Sequence, residues 1–137
     1  MIAAAGIFVF AMLALLQFFF WYCRALIAAS SRVELSESTQ EVTGIDDHHV
    51  SGDDFERLHQ LVHLCPETGG DRMGLVLIRF YHAFLGFLRA AFAASWPGGA
   101  GWAERERANC AYFTAVTLDA RIARTKLLLQ QQSSNQI

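Results

Sequence analysis

Apolar and polar positions divide the chain sharply near residue 23. Met1 to Cys23 carries no charged side chain. Ile2 to Tyr22 makes an apolar run that would form roughly 31 Å of helix at 1.5 Å per residue, the thickness of a hydrocarbon core. Trp21 and Tyr22 fall where an interfacial aromatic belt belongs, and Arg24 follows at headgroup depth. The pattern predicts a transmembrane anchor over residues 1–29. A cleaved signal would put basic residues ahead of a shorter apolar run. A lipoprotein signal would need small residues before its cysteine, where this chain has Phe20, Trp21 and Tyr22.

Residues 30–52 are a polar, acidic connector. Ser30 to Glu41 reads as a continuation of the first helix, Thr43-Gly44 and Asp46-Asp47-His48-His49 as loop. Ser51 with Asp54 resembles a capping box, opening a helix that Pro66 ends. Phe55, Leu58, Leu61, Val62 and Cys65 recur on it at helical spacing.

A third helix is expected from about Asp71 to Ser95. Its apolar face is wide (Leu77, Phe80, Tyr81, Phe84, Phe87, Leu88, Phe92), with Arg72, Arg79, His82 and Arg89 on a narrow opposite stripe. Those charges argue against a second span. The helix reads as the centre of a bundle, with an in-plane position on the bilayer as the alternative. Trp96 to Gly101 reads as a connector. It is no phosphate loop, because no strand precedes it and no Gly-Lys-Ser/Thr follows. The fourth helix, about Trp102 to Leu129, shows a heptad seam of Trp102, Glu106, Asn109, Phe113, Val116, Ala120, Ala123 and Leu127. The expected fold is all-α: one N-terminal transmembrane helix, then a small three-helix bundle over residues 53–130 and a polar tail over 131–137.

Charge adds a division the apolar pattern does not show. Residues 33–71 hold ten acids against Arg57 alone, while residues 72–137 hold eight bases against Glu104, Glu106 and Asp119. Two complementary halves most simply pair with each other. Nucleic acid is not an expected partner, since the bases form no exposed run. All eleven Lys and Arg follow the span, so the positive-inside rule puts the C-terminal part in the cytoplasm and the anchor in the plasma (inner) membrane.

Candidate chemistry is sparse. Cys23, Cys65 and Cys110 form neither a disulfide framework nor a zinc signature. Cys65 and Cys110 have the option of bridging in an oxidising compartment, or of serving as small buried hydrophobes. Glu56, His59 and His63 share one helix face and are the candidate metal ligands. Glu-x-x-His is half of a di-iron motif whose other half the later helices lack. Surface histidines near acids are the plainer account. His82, between two arginines, is the candidate cofactor ligand, to haem or pigment, or else a buried hydrogen-bonding histidine. No cofactor, small-molecule substrate or catalytic set is expected.

The span itself is more informative. Gln17 is its strongly polar side chain, and an unpaired amide in hydrocarbon is costly. Ala4, Ala11 and Ala14 share one side and allow a neighbouring helix to approach closely. These four residues are the expected docking face for other integral-membrane subunits. The functional expectation is a non-catalytic, single-pass accessory subunit of a larger membrane complex, respiratory and photosynthetic assemblies being the usual hosts. The alternative is a membrane-tethered adaptor or regulator binding a cytosolic partner. A third class is a metal, haem or pigment protein.

Overall fold

The computed structural model describes residues 1–44, 50–67 and 69–137. It holds five helices: α1 (Ile2–Ser30), α2 (Glu37–Thr43), α3 (Asp54–Leu64), α4 (Asp71–Phe92) and α5 (Pro97–Asn135). No strand occurs among the described residues. The Asp46-Asp47-His48-His49 segment lies outside them.

The first helix does not continue to Glu41 as expected. The Ser30 and Ser31 hydroxyls donate back to the carbonyls of Ile27 and Ala28, each at 2.8 Å, and the chain turns. Serines favour such local bonds over helix propagation. A separate short helix follows and ends at Gly44, whose φ of 66° suits a residue without Cβ. The connector is therefore a strap laid along α5. Ser36 and Thr39 donate to Asp119, Tyr112 donates to the Val33 carbonyl, and Lys126 Nζ donates to Ser38 Oγ at 2.6 Å.

Half of the expected capping box forms at α3. The Ser51 N–H donates to Asp54 Oδ2 at 3.1 Å, but Ser51 Oγ accepts from Asp53 N–H, too early to cap the helix. Gly52 just ahead of it lies against α5. A Cβ there would sit 3.0 Å from Arg107 Cβ, so a larger residue would have to push the backbone and α5 slightly apart.

The central helix is α5, not α4. It packs against each of the other four. Its buried face is Gly99, Ala103, Glu106, Cys110, Ala111, Thr114, Ala115, Leu118 and Arg121. Of the expected seam only Glu106 is buried, while Asn109, Ala120, Ala123 and Leu127 are exposed. The true face is built from small residues, which let α3 and α4 approach closely, and so it was hidden from a search for large apolar ones. Two boundaries also move: Pro97 starts the helix, as suits a residue without an N–H in the first turn, and the expected tail is helical to Asn135.

On α4 the buried stripe is Leu75, Ile78, Tyr81 and Leu85, packed on α5. A second stripe, Met73, Val76, Phe80 and Phe87, stays exposed. The last turns of α1 join the same core. Cys23 and Ile27 are buried, Phe20 packs edge-on to Tyr81 at 5.5 Å and against Trp102 at 5.9 Å, and Cys23 Sγ approaches the Leu77 carbonyl at 3.9 Å.

Arg121 closes the bundle. It is 2% exposed. Its Nε and Nη2 make a bidentate pair with Asp71 Oδ2 and Oδ1 at 2.8 and 2.9 Å. Its Nη1 donates to the Val62 carbonyl at 2.8 Å and reaches the Cys65 carbonyl at 3.5 Å. One guanidinium thus holds the C-terminus of α3, the first turn of α4 and the middle of α5. Asp71 and Arg107–Asp53 are where the acidic and basic halves meet as ion pairs. The node also separates Cys65 from Cys110. Arg121 touches the Cys65 carbonyl, and three turns of α5, roughly 16 Å, lie between Arg121 and Cys110. The two thiols cannot bridge, and all three cysteines are free.

Removing one partner of a buried pair leaves the other charge stranded, which costs about 3 kcal/mol or more. Arg121→Met is expected to destabilise the bundle by that amount in denaturant titration followed by helical circular dichroism. Lys126→Ala, at the exposed strap contact, is expected to stay within about 0.5 kcal/mol.

Candidate functional site

The exposed side of α3 meets the N-terminal half of α4 in a cleft of about 480 Å³, lined by His59, His63, Glu67, Arg72, Leu75, Val76, Arg79, Phe80, Ala83 and Arg121. Sequence reasoning placed His59 and His63 together and on one helix. It did not bring Arg72 and Arg79 to them, because that depends on how α3 and α4 lie on α5. The signal was the i, i+7 spacing of the two arginines on one side of an apolar helix.

His59 is not the surface histidine expected. It is 5% exposed, stacked on Phe55 with ring centroids 5.7 Å apart. Its Nε2 faces His63 Nε2 at 3.1 Å and Arg79 Nη1 at 3.4 Å. A guanidinium can only donate, so His59 Nε2 is the acceptor in that contact and its proton sits on Nδ1. That Nδ1 is buried with no partner. Burial foremost, then the charges of His63 and Arg79, hold the His59 pKa below its ordinary 6.5, against an upward pull from Glu56. The ring is therefore neutral, and its free lone pair is already occupied.

The three candidate metal ligands do not converge among the described residues. His63 is exposed, and Glu56 is exposed and outside the cleft lining. Among the described residues no three His, Cys, Asp or Glu side chains converge as a metal site. At most two imidazoles could meet one ion, with Arg79 repelling it. His82 lies elsewhere. Its Nε2 is 3.2 Å from the Gly52 carbonyl and its ring stacks on Phe55, with ring centroids 4.0 Å apart. That bond fixes the entry to α3 and uses the nitrogen a haem or pigment would take.

The four residues of the expected docking face are all exposed. At 3.6 residues per turn, Ala4, Ala11 and Ala14 lie nearly opposite the Phe20, Cys23 and Ile27 side that packs on the bundle. Gln17 sits at the edge between the two sides. With Leu13, Leu16, Phe20 and Phe84 it lines a shallow groove where α4 passes, and its amide has no hydrogen-bond partner among the described residues.

Tyr81 and Glu106 were not singled out as a pair by sequence. The buried Tyr81 hydroxyl donates to Glu106 Oε2 at 3.0 Å, which satisfies a carboxylate that a heptad reading could only count as a polar entry. Compared with family models, curated proteins and solved structures, the chain matches none.

Because His59 is held below its ordinary 6.5, the unfolded state takes up a proton first as pH falls. Stability is therefore expected to be full above 6.5 and to drop as pH descends from there to the folded-state pKa. His59→Gln should flatten that part of the pH profile in thermal melts. His59→Ala is expected to cost about 2 kcal/mol, from the lost packing on Phe55, and His63→Ala less than about 0.5 kcal/mol.

Proposed function

We propose that the chain is a non-catalytic, single-pass accessory subunit of a larger integral-membrane complex, with α1 as its anchor and docking helix. The observation that carries this reading is the uncovered stretch of α1. Every residue from Ile2 to Phe18 is exposed, and the helix holds a window of mean hydropathy 2.4. Such a surface is stable only in lipid or against other apolar helices. Its alanine side faces away from the chain's own bundle, and Gln17 lacks a partner. Both are what a helix–helix contact within the membrane would use.

Helix α4 is also long and apolar enough to cross a membrane, but its inner stripe is committed to α5. The Arg89–Glu104 pair at 2.9 Å is half-exposed on both sides, so the two charges neutralise each other where this end of α4 lies alongside the apolar stretch of α1. The basic residues after the span favour a cytoplasmic bundle.

A membrane-tethered adaptor is the second reading. It draws on Leu127, Leu128 and Leu129, all more than half exposed near the end of α5. A metal, haem or pigment protein has less support, since the His59 and His82 nitrogens described above are engaged within the chain.

Replacing Ala4, Ala11, Ala14 and Gln17 together with Leu keeps the anchor apolar while bulking its small side and removing the amide. The variant is expected to insert normally but to be lost from its complex during detergent purification, each interhelical hydrogen bond being worth about 0.6 to 2 kcal/mol. Retention at normal stoichiometry would move the adaptor reading to first place.

A further inference from the structure

The geometry points to an anionic phospholipid as the occupant of the α3–α4 cleft, its phosphate held between Arg72, Arg79 and His63 and an acyl chain running along Val76, Phe80 and Ala83. This rests on the membrane reading of α1 and extends it to a specific ligand.

Depth is the first support. Helix α4 runs antiparallel to the end of α1: Leu77 is beside Cys23, Tyr81 beside Phe20, and Phe84 beside Gln17. Cys23 is the last residue of the uncharged run and Arg24 follows it. The level of Leu77 is therefore the level at which α1 leaves the apolar layer. Arg72 lies five residues toward the aqueous side, roughly 7 Å, and Ala83 six residues toward the hydrocarbon, roughly 9 Å. Arg79 starts just below Leu77, but helical side chains lean toward the N-terminus, which carries its guanidinium back toward Arg72. The cleft thus straddles the membrane boundary with its cations on the aqueous side.

Charge and shape are the second. Arg121 is neutralised by Asp71. Arg72 has no ion-pair or hydrogen-bond partner among the described residues, and Arg79 meets only the uncharged His59 ring. Glu67 is the carboxylate at the rim, and it is exposed. Two uncompensated guanidiniums suit the fork geometry of a phosphate. Below them Leu75, Val76, Phe80 and Ala83 give an apolar floor that a free phosphate would not use but a lipid chain would. Val76 and Phe80 remain 42% and 67% exposed, an arrangement that an acyl chain covers.

The test uses the full chain reconstituted in phosphatidylcholine nanodiscs with and without phosphatidylglycerol, then released for native mass spectrometry. The wild type is expected to retain phosphatidylglycerol. Arg72→Gln with Arg79→Gln should lower retention about tenfold or more, and Glu67→Gln should raise it. Arg105→Gln with Arg124→Gln, which removes equal charge from exposed positions of α5, should leave it unchanged. All four arginines are exposed, so helical melting should be unaffected, and a melt lowered to the same degree in both pairs would be separated from binding by the Glu67→Gln result. Equal loss in the two arginine pairs would mean diffuse attraction and overturn the site. Full displacement by inorganic phosphate alone would mean a free-anion site and overturn the lipid. Alkaline carbonate extraction separates the two readings. A wild type that is extracted from membranes fails the anchor itself, whereas one that stays embedded yet retains no phosphatidylglycerol fails only the cleft.

Discussion

The buried guanidinium of Arg121 is the constraint on which the helix arrangement depends. Desolvating an arginine is costly, and it is tolerated here because every contact it makes is charge-assisted or to a carbonyl. Asp71 supplies both carboxylate oxygens, and the carbonyls of Val62 and Cys65 are acceptors at the C-terminal end of α3. The same group therefore satisfies α3, neutralises itself at α4 and fixes the rotation of α5. From that rotation follow the small-residue face that α3 and α4 pack on, the approach of Arg72 and Arg79 to His59 and His63, and the exposure of the outer stripe of α4.

What the sequence made legible was what local patterning controls. The uncharged run of Met1–Cys23, the apolar face of α3 and the existence of the long helices follow from composition and period. The rest turned on side chains whose partners are distant in sequence. Asp71 looked like an acid in a first helical turn and Arg121 like one base among several, since nothing local marks a pair fifty residues apart. The face of α5 was misjudged because Ala103, Cys110, Ala111, Thr114 and Ala115 matter for closeness of packing and not for size. His59 looked like a surface residue from its acidic neighbours, but the rings of Phe55 and His63 and the side chain of Arg79 enclose it. Of the candidate site, the histidine pair was readable. The cleft around it was not, because it exists only where α3 and α4 are both laid on α5.

Helix α1 and the bundle form one packed body over the last turns of α1. Phe19, Phe20, Cys23 and Ile27 pack into the core that Tyr81, Leu85, Cys110 and Ala111 build. On the proposed reading this continuity has a mechanical consequence. The bundle does not hang from a flexible tether; the exit of α1 from the bilayer sets its height, and with it the levels of the cleft and of the α4–α5 turn. The strap over residues 30–44, hydrogen-bonded to α5 through Asp119, Tyr112 and Lys126, holds the chain close where it leaves α1.

The height of the bundle is accordingly the quantity that tests the account most directly. Trp96, in the α4–α5 turn and 60% exposed, can be made the sole tryptophan by replacing Trp21 and Trp102 with Phe. In reconstituted vesicles its fluorescence should be quenched by lipids labelled near the chain end more than by lipids labelled high on the acyl chain, and should be shielded from aqueous iodide. Strong iodide quenching with no effect of either lipid would place the turn in water, and would contradict a bundle seated at the membrane boundary.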